Sequence, residues 1–193
     1  MNGATNTEAR DSAGIHEKQG FGRFLRKKES WSLFSVKVVV LLSLMLVAGT
    51  TFFSRFSIAI DPQQERCIPG YRVYLVDHQD QELIRGELYA FRSKDLSPIY
   101  DEGTEMLKYL KGVPGDRIVI NESDQIFIND KPDQWGLSLA EEKLGQPASN
   151  FRGNVTLGEN QYWFMGTSTK SFDSRYWGTI SGEQIIGRAY PIF

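Results

Sequence analysis

Cys67 is the first residue of this chain that could carry chemistry, because it is the only cysteine among 193 residues. It precedes Pro69-Gly70 and leads into the strand-like segment Arg72–Asp77 (RVYLVD). A thiol is the side chain most easily activated as a nucleophile, and a neighbouring cation lowers its pKa further. A lone cysteine is more commonly a structural residue, so Cys67 is a candidate nucleophile that still needs a base.

Histidine is a poor candidate for that base. His16 lies near the N-terminus, and His78 lies in the polar run DHQDQE, where a solvated loop residue is expected. Asp77 precedes His78 directly, and neighbours on a strand point to opposite faces, so the two side chains need not meet. A lysine can replace histidine as general base if burial lowers its pKa towards neutrality.

No cofactor, no metal and no nucleic-acid partner are expected. The chain offers too few histidines and cysteines to converge on a metal, and it contains no glycine-rich phosphate loop. Residues 54–193 hold 15 basic and 20 acidic residues, in a chain of net charge −2. Because phosphate binding depends on lysine and arginine, this acidic balance argues against nucleic acid.

Three segments are predicted along the chain. Residues 1–33 are polar and lack periodicity, which predicts a disordered cytoplasmic tail. Residues 34–53 (FSVKVVVLLSLMLVAGTTFF) hold one charge, Lys37, and a helix of that length spans a hydrocarbon core of roughly 30 Å. Basic residues cluster before this span, so the positive-inside rule places residues 54–193 across the membrane. A cleaved signal peptide is the alternative, for which Ala48-Gly49-Thr50 is only a weak cleavage site.

Residues 54–193 are predicted to be mainly β. Five segments are rich in β-branched and aromatic residues and are separated by turn residues: Arg72–Asp77, Leu88–Arg92, Arg117–Ile120, Gln125–Ile128 and Gln161–Met165. Glu105–Lys111 is interpreted as one helical turn, and Leu137–Leu144 is the best candidate for a longer helix.

Four later segments resemble the conserved boxes of the type I signal peptidase family. Lys108–Asp116 (KYLKGVPGD) is similar to the lysine box K-R-V-x-G-x-P-G-D, and Ser171–Gly178 (SFDSRYWG) to the box S-x-D-S-R-Y-W-G. Arg85–Arg92 (RGELYAFR) resembles G-D-x-V-x-F with Glu for Asp, and Ile185–Ala189 (IIGRA) matches the closing box. A single box would be a weak signal, but four in the family's order after an N-terminal anchor are a strong one.

The resemblance implies a role for each matching residue. Lys108 matches the general base, whereas the neighbouring Lys111 is expected to be solvated. Ser171 matches the serine that hydrogen-bonds the base. Asp173 matches the acidic residue that orients groups around the lysine or pairs with Arg175.

The nucleophile box departs from the common pattern. Signal peptidases place serine in S-x-x-P-T, and the conjugative-transfer (TraF-like) branch uses S-x-P, which the SFDSRY form of the later box also resembles. Cys67 takes the serine place in Arg66-Cys67-Ile68-Pro69, so the mechanism could run from a thiolate–ammonium pair, or the chain could be an inactive relative. Many relatives carry a hydroxyl two residues before the nucleophile, where this chain has Glu65.

The resemblance therefore implies a signal-peptidase-like catalytic domain of antiparallel sheets after one N-terminal transmembrane helix. The implied activity is endopeptidase cleavage by a Ser/Lys-type dyad with Cys67 as nucleophile and Lys108 as base, through an acyl-enzyme whose oxyanion the Cys67 N–H would bind. The implied partners are an exported precursor with an N-terminal signal sequence, the lipid bilayer, and components of a conjugative pilus or secretion apparatus. The implied location is a single pass of the bacterial cytoplasmic membrane, with a pilin or another conjugation protein as substrate.

Two alternative functions stay open at this point. An anchored β domain without activity could be a scaffold of a secretion or conjugation apparatus. A housekeeping leader peptidase could serve many precursors.

Overall fold

The computed structural model describes residues 30–63 and 67–193. Its first element, α1 (Trp31–Arg55), has 25 residues and is therefore about 37 Å long. None of its residues is buried, and by length and composition it can cross a membrane. It contains the predicted span 34–53 and extends it at both ends. The predicted tail lies outside the described residues as far as residue 29.

Residues 44–193 form one compact unit with two antiparallel sheets. The large sheet has the order β1-β2-β11-β3-β4-β9-β10 among the described strands. Its strands are β1 (Phe56–Ile60), β2 (Val73–Asp77), β3 (Leu88–Arg92), β4 (Glu105–Gly112), β9 (Gln161–Met165), β10 (Ile180–Ser181) and β11 (Ile185–Pro191).

The small sheet lies between β4 and β9 in the chain and has the order β7-β6-β5-β8 among the described strands. Its strands are β5 (Arg117–Ile120), β6 (Gln125–Ile128), β7 (Lys131–Trp135) and β8 (Gly153–Thr156). Alternate residues of β5 and β6 are buried, as expected for strands with one face on a core. That core also contains Trp163 and Met165 of β9, so the two sheets share packing.

The helices of residues 44–193 that follow α1 are short. They are α2 (Leu139–Glu142), α3 (Ser174–Trp177) and the 3-10 turns Ala148–Phe151 and Gly182–Gln184. The longer helix predicted over 137–144 is thus wrong in length: only four of its residues are helical, and the first two of these, Leu139 and Ala140, supply the buried contacts.

The mainly β prediction is confirmed, but the helical turn predicted at Glu105–Lys111 is wrong. These residues belong to β4, which pairs with β3 from Glu105 to Tyr109. Alternate residues of β4 are buried, namely Met106, Lys108, Leu110 and Gly112. The segment consists of helix-forming residue types, and packing between β3 and β9 overrides that local preference.

Candidate active site

Cys67 lies in the loop between β1 and β2, next to a part of the chain that is not described. Its thiol is free and half-buried, and the following Ile68 is buried in the core below. The Sγ atom lies 3.8 Å from Oε1 of Gln63, at the other end of the same loop. Glu65, which takes the place of the hydroxyl residue of many relatives, lies outside the described residues.

Lys108 lies in the middle of β4, on the same face as Met106 and Leu110. Only 5% of its surface is exposed. Across residues 30–63 and 67–193, its ammonium group forms neither a hydrogen bond nor an ion pair. A buried lysine without an acid partner is uncommon, because burial penalises the charged form. Lys108 is therefore a buried amine whose place in the strand is not explained by an ion pair within the described residues.

One cavity of about 300 Å³ brings the two residues together, since both Cys67 and Lys108 line it. Its other walls include β1 with the loop after it, Thr104–Leu107, and the aromatic residues Tyr74, Tyr100 and Phe172. The rings of Tyr100 and Phe172 are stacked with centroids 5.8 Å apart. A thiol and an amine at one cavity are the two groups that nucleophilic attack assisted by a lysine requires.

The loop after β9 is hydrogen-bonded to the loop that carries Cys67. The backbone N–H of Thr167 donates to the Cys67 carbonyl oxygen at 2.9 Å, and the Thr167 hydroxyl donates to the same oxygen at 3.3 Å. Gly166 lies at the same contact, because a Cβ there would come within 2.8 Å of that carbonyl. The sequence gives no sign of Gly166, which lies outside the four resembling boxes.

Ser171 and Asp173 do not line the cavity, whereas Phe172, which stands between them in the sequence, does. Both are fully buried. The Ser171 hydroxyl has no hydrogen-bond partner among the described residues. A buried hydroxyl without a partner is unfavourable in free energy. The donor and the acceptor of this hydroxyl are both unused, and they lie close to Gly166 and the Cys67 carbonyl oxygen.

Asp173 pairs with Arg175, which is one of the two roles that its box implied. The Arg175 guanidinium donates from Nε and Nη2 to the two carboxylate oxygens, each at 2.8 Å, with both side chains fully buried. Burial by itself lowers the pKa of Arg175, but the hydrogen bonds and charge of Asp173 outweigh it and raise that pKa. Asp173 also accepts from the Gly166 N–H at 3.0 Å, so the pair fixes the loop that holds Cys67.

The other charged residues of the boxes have structural partners. Lys111, on the opposite face of β4 from Lys108, lies 2.8 Å from Asp133 and is partly exposed. Burial by itself would raise the pKa of Asp116, but hydrogen bonds from Arg85, Val113 and Asn129 lower it. These residues fix the turn between β4 and β5.

The Asp77-His78 pair is not a base with its orienting partner. Hydrogen bonds from Arg55 hold the pKa of Asp77 below its usual range, and Nε2 of His78 lies 2.9 Å from the Ser57 hydroxyl. Within residues 30–63 and 67–193, no three histidine, cysteine, aspartate or glutamate residues are grouped so as to hold a metal ion.

Comparison with known proteins connects this site to a family. The sequence profile of the family described as "Signal peptidase, peptidase S26" matches residues 30–193. The chain is 28% identical over 110 residues to a probable signal peptidase I-2 of Synechocystis sp., covering 56% of this chain and 47% of that protein. It is 31% identical over 123 residues to signal peptidase I of Leptolyngbya laminosa, covering 56% and 52%. The chain thus spans about half the length of these relatives.

Among solved structures, the crystal structure of a signal peptidase I from Enterococcus faecalis aligns with a TM-score of 0.35 and 24% identity. The alignment covers 54% of this chain and 94% of that one. Because the family profile matches most of the sequence, the chain belongs to the signal peptidase family, peptidase S26.

Proposed function

We propose that this chain is a membrane-anchored signal peptidase with Cys67 as nucleophile and Lys108 as general base. The observation that carries the proposal is the shared cavity, whose wall includes a free thiol and a buried lysine that has no acid partner among the described residues. Membership of the signal peptidase family supports the reaction class, peptide-bond hydrolysis.

The reaction balances with these two groups and water. In its neutral form Lys108 takes the thiol proton, and Sγ of Cys67 then bonds to the scissile carbonyl carbon, which produces a tetrahedral oxyanion. The oxyanion collapses, the C–N bond breaks, and the proton passes from Lys108 to the leaving amine. Lys108 then takes a proton from water as the hydroxide attacks the thioester carbon. The C–S bond breaks, Lys108 returns the proton to the sulfur, and the released carboxylic acid loses its proton to solvent.

The open edge of β4 is a suitable binding place for the peptide. β4 pairs with β3 from Glu105, but its pairing with β9 begins only at Tyr109. No described strand covers Glu105–Lys108 on that second side, and the cavity lies along these residues. An extended peptide can add to this edge by backbone hydrogen bonds, which brings its scissile bond past Lys108 to Cys67.

Ser171 and Asp173 are proposed to act behind the dyad. The Ser171 hydroxyl, which has no hydrogen-bond partner in the described part of the chain, can orient the lysine amine, as its match to the family's serine implies. Asp173, tied to Arg175 and to Gly166, holds the loop on which the Cys67 carbonyl is fixed.

The proposed substrates are exported precursors with N-terminal signal sequences. The Cys-x-Pro nucleophile box and the SFDSRY box favour the conjugative-transfer branch, and hence a pilin or another conjugation protein. α1 would anchor the chain in the cytoplasmic membrane with its N-terminus in the cytoplasm, so that residues 56–193 meet precursors as they emerge.

The test is precursor processing by the wild type and by Cys67→Ala in the same host. Wild-type processing with none in the variant is the expected result. Full processing by a folded Cys67→Ala protein would contradict the nucleophile and favour the scaffold function. Processing of many unrelated precursors would instead favour a housekeeping enzyme.

A further inference from the structure

The oxyanion of the proposed reaction needs a second hydrogen-bond donor besides the backbone N–H of Cys67. Oxyanions in acyl transfer are commonly held by a backbone N–H together with a side-chain donor. The position two residues before the nucleophile holds Glu65 here, and an ionised carboxylate can only accept hydrogen bonds. A donor must therefore come from another residue at the cavity.

Gln63 has the position and the chemistry for this role. It lines the cavity together with Cys67 and Lys108, and its carboxamide oxygen lies 3.8 Å from the Cys67 sulfur. Its backbone N–H donates to Oδ1 of Asp61 at 3.0 Å, which fixes the turn that carries it after β1. A carboxamide has two N–H donors on its nitrogen in addition to the acceptor oxygen.

We propose that the carboxamide of Gln63 donates a hydrogen bond to the tetrahedral oxyanion on the Cys67 adduct. This inference rests on the proposed function. The oxyanion is separated from Sγ by only two covalent bonds, so a carboxamide in contact with Sγ lies within reach of it. Among described residues, Gln63 is the only one whose side chain forms a hydrogen bond with the thiol.

Loss of the thiol proton favours the carboxamide orientation in which the NH₂ group of Gln63 faces the reacting atoms. In the resting site the thiol donates to Oε1. Once the proton has moved to Lys108, the same oxygen would face a thiolate, which repels it and attracts an N–H group. The terminal torsion of glutamine has a broad, shallow profile, so rotation about it exchanges the oxygen for the NH₂ group at little cost. The donor is then in place before the carbonyl carbon is attacked.

A role in positioning the thiol would give different results from a role in binding the oxyanion. Alkylation of Cys67 by iodoacetamide displaces iodide at a saturated carbon and forms no oxyanion, so its rate reports only thiol reactivity. Peptide cleavage, and binding of a peptide aldehyde that forms a tetrahedral adduct with the thiol, both depend on oxyanion stabilisation.

The experiment compares the full-length wild type with Gln63→Met, which keeps the side-chain length and removes both donors. Gln81→Met, at an exposed glutamine outside the cavity, is the matched control. The cleavage probe is a precursor whose secretory signal sequence ends in an Ala-x-Ala site, and a peptide aldehyde ending at that site is the binding probe. Gln63→Met should lower kcat and aldehyde affinity about 10²- to 10³-fold, with KM close to wild type and a much smaller fall in the alkylation rate, which reports only the lost contact with the thiol.

Two results would overturn the inference: a Gln63→Met enzyme as fast as Gln81→Met, or cleavage and alkylation that fall by the same factor. Neither would touch the proposed function as long as cleavage by the wild type still requires Cys67. If Cys67→Ala also cleaves the precursor, the proposed function is what fails.

Discussion

The carbonyl oxygen of Cys67 accepts the backbone N–H of Thr167 at 2.9 Å, across a separation of 100 residues. This contact joins the loop of the candidate nucleophile to the loop after β9. The second loop is itself fixed by the buried Asp173–Arg175 pair through Gly166. The position of the thiol therefore depends on residues that lie about 100 positions later in the sequence.

Gly166→Ala is expected to disturb this junction. A Cβ there would overlap the Ser171 hydroxyl, and it would lie 2.7 Å from Ser171 Cβ and 2.8 Å from the Cys67 carbonyl oxygen. We expect loss of processing and a lower melting temperature. Gly158→Ala is the control, because its Cβ would meet only the flexible side chain of Gln161. Equal activity in both variants would show that the junction does not position the thiol.

Lys108→Ala is expected to abolish processing, whereas Lys111→Ala keeps most of it. The two lysines lie on the same strand, but Lys108 is buried at the cavity and Lys111 pairs with Asp133 on the other face. Processing by equal amounts of folded protein, followed by immunoblot, measures the difference. An equal loss in both variants would mean that the base is misassigned.

Cys67 should be the residue that a thiol-selective alkylator modifies, and modification should stop cleavage. No second cysteine exists to confuse the mass-spectrometric assignment. Lys108→Ala should slow the alkylation, because the amine at the same cavity no longer assists removal of the thiol proton. Cys67→Ser should retain some activity and Cys67→Ala none. Alkylated protein that still cleaves would contradict the assignment.

Asp173→Ala is expected to lower the free energy of unfolding by about 3–5 kcal/mol, because it leaves the buried Arg175 guanidinium without its counter-ion. Glu122→Ala is the control. Glu122 is 92% exposed in its pair with Arg152, so the change should stay within about 1 kcal/mol. Urea unfolding measures both, and similar midpoints would contradict the structural role of the Asp173–Arg175 pair.

Topology can be tested with reporters fused at each end of the chain. An enzyme reporter that is active only outside the cytoplasm should work after Phe193 and fail before Trp31, because the basic residues precede the span. The reverse pattern would place residues 56–193 in the cytoplasm, where cleavage of exported precursors could not occur.

Four strands could be predicted with their observed bounds, β3, β5, β6 and β9, because β-branched and aromatic residues are dense in them. β4 could not. Its inward positions include Lys108, so the residue proposed as the base breaks the alternation that would have marked the strand. β8 was missed because all its residues are exposed and it carries no apolar pattern.

The candidate site was predicted from resemblance to known boxes more than from spacing. Cys67 and Lys108 are 41 positions apart, and only the antiparallel order of the large sheet brings both to one cavity. The resemblance implied two roles for Asp173, and the pairing with Arg175 is the one that the structure shows directly. Nothing in the sequence marks Gln63 or Gly166, because their importance comes from contacts made by folding.

The chain enters and leaves the small sheet at one place, because the strands before and after it, β4 and β9, pair at Gly112 and Trp163. It holds none of the four proposed site residues. Closing a loop costs little more free energy when the loop is lengthened, so an exposed turn of this excursion can accept an insertion while its packed strands stay in place. Its exposed turn at Glu122-Ser123 is accordingly a suitable position for an internal fluorescent domain, which would allow the protein to be tracked in living cells with both termini unaltered.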